Sequence, residues 1–127
     1  MNPITKFLTY VPALRSYMKA VTEFNSNSYE RALELLDQCM RHPSFNNEVV
    51  YQHYGQTLCA LGQVYEGHNY LVKACDIYRT TDWRLESPQE LHLAEETLET
   101  LRRLSEKNGL DVDSEILQRK LTITRGL

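Results

Sequence analysis

The chain has 127 residues, a formal charge of −3 and a sequence pI near 5.8, with 42% hydrophobic and 24% charged residues. That is enough for one domain with a real core, and the acidic balance argues against a nucleic-acid binder, which carries a basic patch and a high pI. No apolar run approaches the ~18 residues of a membrane span. The first stretch, MNPITKFLTYVPALR, lacks the long apolar core and small-residue cleavage site of a signal peptide.

In chain order, Ile4, Phe7, Leu8 and Val11 suit a short helical lead-in (1–11) that covers one end of the core. Pro12 suits the first turn of a new helix, where its missing N–H costs nothing. From there to Asn25 the face Leu14, Tyr17, Ala20, Val21 and Phe24 is amphipathic, and Asn-Ser-Asn-Ser breaks it. Asn27 with Glu30, or Ser28, caps a second helix to about Arg41, with Tyr29, Ala32, Leu36, Cys39 and Met40 inward. His42-Pro43 ends it, because the residue before proline leaves the helical region. Ser44 to Asn47 reads as a turn.

A third helix follows with Tyr51, Tyr54, Leu58 and Leu61 on one face. Gly62 turns the chain, and Val64, Gly67, Leu71 and Ala74 give the fourth helix the same spacing. Gly55, Gly67 and Ala74 permit close helix contact. The stretch around Trp83 reads as an ordered loop. Ser87-Pro88-Gln89-Glu90 is a capping box that opens a fifth helix bearing Leu91, Ala94, Leu98, Leu101 and Leu104, stopped at Asn108-Gly109. Asp111 or Asp113 caps a short sixth helix. The expectation is therefore an all-α domain of about six helices.

The spacing carries a further reading. Tyr17, Ala20, Val21 and Phe24 precede Tyr51, Tyr54, Gly55 and Leu58 by 34 residues, and Ala32 and Leu36 correspond to Gly67 and Leu71 with a shift of one. With YxxYGxxL followed by Gly62, GxxxL and Ala74, the chain resembles the tetratricopeptide repeat (TPR) family. The resemblance runs from about Pro12 to Tyr78 and, more weakly, to Gly109. It implies antiparallel helix-turn-helix repeats in a right-handed superhelical array: repeat 1 over 12–43, repeat 2 over 47–79, one helix of a partial third repeat over 87–109, and a capping helix over 111–122. The first unit departs from the pattern in lacking the glycine, and Glu95 stands in the third where a small residue should pack.

The first helix of each pair in such arrays lines a concave groove. The resemblance thus points to Gln52, Gln56 and Cys59 in the second unit, Met18, Thr22 and Asn25 in the first, and His92, Glu96 and Glu99 in the third. The groove is expected to be neutral at one end and acidic at the other, taking an extended or helical peptide. The branch of the family that clamps the C-terminal carboxylate of heat-shock chaperones uses lysine, arginine and asparagine at these positions. Met18, Thr22, Gln52 and Gln56 replace that clamp, so chaperone-tail binding is not expected.

The expected function is a protein–protein interaction module, an adaptor, assembly factor or chaperone, with another protein as partner, self-association as an open possibility, and no nucleic acid or membrane. The alternatives are a homo-oligomeric structural protein and a small helical enzyme. The histidines His42, His53, His68 and His92 have no metal-ligand spacing, and no glycine-rich phosphate loop is present. Neither metal, cofactor nor catalytic residues are expected. Cys39, Cys59 and Cys75 are odd in number and widely spaced, the usage of reduced thiols in a cytoplasmic protein.

Overall fold

The computed structural model describes residues 2–80 and, beyond them, residues 92, 95–97, 99–100, 102–103 and 106–107. Every regular element among the described residues is helical: α1 (Pro3–Asn25), α2 (Tyr29–Met40), a 3-10 turn (Pro43–Phe45), α3 (Glu48–Ala60) and α4 (Val64–Thr80). The described residues between 92 and 107 are helical too and belong to the expected fifth helix. The loop around Trp83, the Ser87-Pro88 cap, the Asn108-Gly109 stop and the sixth helix lie outside the described residues.

α1 corrects the first boundary. A lead-in ending at residue 11 and a fresh start at Pro12 give way to one helix with Pro12 inside it. Two prolines, Pro3 and Pro12, offer a first-turn position here, and only the earlier one follows a capping residue. Asn2 is extended, its Oδ1 accepts the Thr5 N–H at 2.8 Å, and Pro3 takes the first helical position. The cost falls at Pro12, which has no N–H to give the Leu8 carbonyl one turn back. Nor do the lead-in residues cover the core: Ile4, Phe7, Leu8 and Val11 are exposed.

Both hairpins turn by the same device. Asn27, at φ 64°, and Gly62, at φ 84°, are the left-handed residues just past α1 and α3. The Ser28 N–H reaches the Glu23 carbonyl at 2.8 Å and the Asn27 N–H reaches Phe24 at 3.0 Å. In the second turn the Gln63 N–H reaches Leu58 at 2.9 Å and the Gly62 N–H reaches Cys59 at 3.0 Å. These are paired Schellman bonds, which satisfy the last carbonyls of each helix. Asn27 therefore ends α1 rather than capping α2. Ser28 is the N-cap residue of α2 but makes no side-chain cap bond.

The turns also set the register between the hairpins at 35 residues, not 34. At that offset Asn27 matches Gly62, Ala20 matches Gly55, Ala32 matches Gly67, and Leu36 matches Leu71. Ala20, Ala32, Leu36 and Leu71 are all buried to 1% exposure or less.

The main buried cluster spans both hairpins, drawing on Ala13 and Ala20 of α1, on α2, on Phe45 and on α3. Leu35, Leu36 and Cys39 of α2 pack with Val50, Tyr54 and Leu58 of α3. The Tyr54 hydroxyl donates to Asp37 Oδ1 at 2.8 Å, fastening α3 to α2, and its ring centroid lies 4.5 Å from that of Tyr70 on α4. The turn expected over 44–47 hides an anchor. Phe45 is buried beneath the rings of Tyr10 and Tyr17. Beside it, buried His42 donates from Nε2 to the Lys6 carbonyl at 2.9 Å and accepts the Ser44 N–H at Nδ1 at 3.1 Å. Both ring nitrogens are satisfied by the Nε2–H tautomer. Asn47 then caps α3 through the Val50 N–H.

Candidate functional site

The predicted groove residues separate into four groups, one of them Gln52 alone. Gln56, Cys59 and Glu96 come together: Gln56 Nε2 donates to Glu96 Oε1 at 2.9 Å, and all three line one cleft of about 320 Å³ with Phe24, Thr100, Arg103 and Lys107. Met18, Thr22 and Asn25 are exposed on α1 and do not line it. The Thr22 hydroxyl turns back to the Met18 carbonyl at 3.2 Å. His92 and Glu99 are exposed on the fifth helix, His92 Nε2 standing 3.8 Å from Glu96 and Glu99 3.7 Å from Arg103.

Gln52 is a correction. It was expected to face the groove, four residues before Gln56, yet it is 0% exposed, and neither its amide oxygen nor its nitrogen has a hydrogen-bond partner. A helix that is buried on several sides leaves a narrower free face than the polar spacing implies. An unpaired buried amide costs ~1–3 kcal/mol. On α4, His68 Nε2 is likewise buried without a partner.

The charge of the cleft also differs from expectation. Its lining contains one carboxylate, Glu96, and two cations, Arg103 and Lys107. The acidic end foreseen from Glu96 and Glu99 is therefore mixed in charge. The missed residues had a signal in the sequence. Glu96, Thr100, Arg103 and Lys107 follow steps of four, three and four, one face of a helix. Phe24 stands 35 residues before Cys59, the register of the two hairpins.

Burial sets the chemistry of the titratable groups. It pushes the Cys59 thiol up, away from the nucleophilic thiolate. It pushes the Cys39 thiol up to about 11, with Asp37 adding to the effect and the thiol's backbone hydrogen bond opposing it. His53, whose ring meets Tyr17 edge-on at 5.7 Å, is held below its ordinary value by burial, against an opposing pull from Glu96. The Cys59 and His53 shifts both favour the neutral form of the group. Among the described residues no cluster of three His, Cys, Asp or Glu side chains could hold a metal ion, and no helix is long and apolar enough to cross a membrane.

No family model, characterised protein or solved structure matches this chain. The site is consequently read from its own geometry. Phe24 and Cys59 give the cleft an apolar floor, the Gln56–Glu96 pair gives it donors and acceptors, and Arg103 and Lys107 give it positive charge at one end. Three separate helices build it: α1, α3 and the fifth. A short peptide segment with an apolar side chain and a carboxylate finds complementary groups in it.

Proposed function

We propose that the protein is a tetratricopeptide-like interaction module, an adaptor, assembly factor or chaperone that binds a peptide or helix of a partner protein in the cleft between α3 and the fifth helix. The repeat reading is supported by the recurrence of turn, small residue and leucine at one offset of 35 residues, which a fortuitous bundle has no reason to produce. The observation that carries the binding reading is the cleft itself. Expected positions from two different helices, Gln56, Cys59 and Glu96, converge on it without having been adjacent in sequence.

A binding role is favoured over catalysis because the cysteine that lines the cleft is biased away from its reactive thiolate. The Cys59 thiol is raised by burial. Free Cys39 and Cys59 support a reducing, cytoplasmic setting.

The test is affinity capture from an extract of the source cells with the wild type beside an R103E/K107E double variant, both first matched for helicity and melting. A partner held by the wild type and lost with the double variant is expected. A partner held equally by both moves the site away from the cleft.

A further inference from the structure

α1 is apolar on two opposite sides. Ala13 and Ala20 are buried against the rest of the fold at 7% and 1% exposure. Ile4 and Val11 precede them by nine residues each, half a turn beyond two full turns, and so point the other way. On that outer side Ile4, Phe7, Leu8 and Met18 are exposed by 72, 76, 66 and 60%. Single exposed apolar residues need no explanation, but a contiguous stripe of large ones on one helix marks an interaction surface.

The stripe has the spacing of a helix–helix seam. Ile4, Val11 and Met18 recur every seven residues, and Phe7, Leu14 and Val21 recur every seven between them. That alternation of three and four is the a/d pattern that places knobs into the holes of a neighbouring helix. Leu14 and Val21 are half-buried, so the seam is open chiefly toward the N-terminal half of α1.

Its charge is one-sided. Lys6, Arg15 and Lys19 precede the first carboxylate of the chain, Glu23, in a protein whose overall charge is −3. Arg15 sits on the stripe itself, one turn after Val11 and one turn before Met18, and is exposed together with Lys19. No acidic residue occupies the first turn of α1, so the positive end of the helix dipole adds to the same field. A second copy docked through this face sets cation against cation. A lipid surface accepts the same charge, and the test below separates it from a helical partner.

We infer that the outer face of α1 is a docking surface for an amphipathic helix of another protein whose apolar seam is flanked by acidic residues. The seam residues of the two helices interdigitate, and glutamate or aspartate beside the partner's seam meets Arg15 and Lys19. This surface lies on the side of α1 away from Phe24, and it does not depend on the cleft reading.

The probe is a fluorescein-labelled synthetic peptide of three heptads with leucine at a and d and glutamate at e and g, titrated with the full chain and read by fluorescence anisotropy. A second peptide carries lysine in place of glutamate. The glutamate peptide is expected to bind saturably and at least tenfold more tightly than the lysine peptide. F7E and V11E, at exposed positions where the fold tolerates them, should each weaken it at least tenfold. R15E/K19E should invert the preference toward the lysine peptide, while R103E/K107E leaves binding unchanged. Equal binding of the two peptides, or none, overturns the proposal. So does sedimentation of the chain with phosphatidylserine vesicles when the peptide fails to bind, which assigns the face to lipid. A dimer in analytical ultracentrifugation that F7E dissociates assigns it to a second copy.

Discussion

A Cβ placed on Gly55 would stand 2.8 Å from the carbonyl oxygen of Gly67, and one placed on Gly67 would stand 2.7 Å from the carbonyl oxygen of Gly55. The two backbones touch at the crossing of α3 and α4, with Leu71 and Cys59 Sγ closing over them. Alanine normally stabilises a helix by ~1 kcal/mol relative to glycine. Here it drives a methyl into backbone, so G55A and G67A should each lower stability by a net ~1–3 kcal/mol. G62A is the contrasting case. Nothing lies within 4 Å of its added methyl, and only the left-handed φ of 84° opposes it, at a cost of ~1–2 kcal/mol. Urea unfolding of the three variants checks this, and G62N should be nearly neutral where G62A is not.

The buried amide of Gln52 gives a prediction of opposite sign. Methionine has a similar shape and needs no hydrogen-bond partner, so Q52M should stabilise the fold by ~1 kcal/mol. A loss of stability on this substitution would mean that the amide is paired in solution, for instance through a buried water.

The pH dependence should have two limbs. His53 is lowered by burial in the folded state, so its contribution is present above the ordinary histidine value and is lost as pH falls through and below it. Stability should therefore drop between about pH 7 and 5, and H53F should flatten that limb. Tyr54 is raised, first by burial and then by its bond to Asp37. Its contribution is present below the ordinary tyrosine value of 10.0 and is lost as pH rises beyond it. Alkaline unfolding should begin there and be delayed in Y54F, which loses the Asp37 bond but has no phenol to ionise.

The fold was legible where local chemistry spoke alone. The glycine turn at Gly62, the helix stop before Pro43 and the Gly67–Leu71–Ala74 face of α4 all read directly. The start of α1 did not, because two prolines offered the same first-turn signal and only the Asn2 cap bond separates them. Asn27 was misassigned because asparagine suits both an N-cap and a left-handed C-terminal position. The cleft was half legible. Gln56, Cys59 and Glu96 share polar spacing with Gln52, yet burial of a polar side chain depends on how many neighbours crowd its helix, which spacing does not encode. Arg103 and Lys107 share the Glu96 face at helical spacing, but that this face lines a cleft follows only from the packing of α3 beside it.

The three thiols should differ in reactivity. Cys39 is fully buried and its thiol is pushed up to about 11. At pH 8 its thiolate is far scarcer than that of an unperturbed thiol. Iodoacetamide at pH 8 should modify half-exposed Cys59 first, and Cys39 and the buried Cys75 only as the chain unfolds. Fast labelling of Cys39 in the native protein would contradict the packing of α2 described above.

The most direct test of the cleft as a partner site is photo-crosslinking from defined positions. A benzophenone amino acid at Gln56, inside the cleft, is compared with one at Glu34 on the exposed side of α2, in an extract of the source cells. The cleft reading predicts that the Gln56 probe joins one contiguous segment of a single partner, identified by mass spectrometry, and that R103E/K107E abolishes the product. Crosslinks of that partner from Glu34 but not from Gln56 would contradict it and move the binding surface to the opposite side of the hairpins.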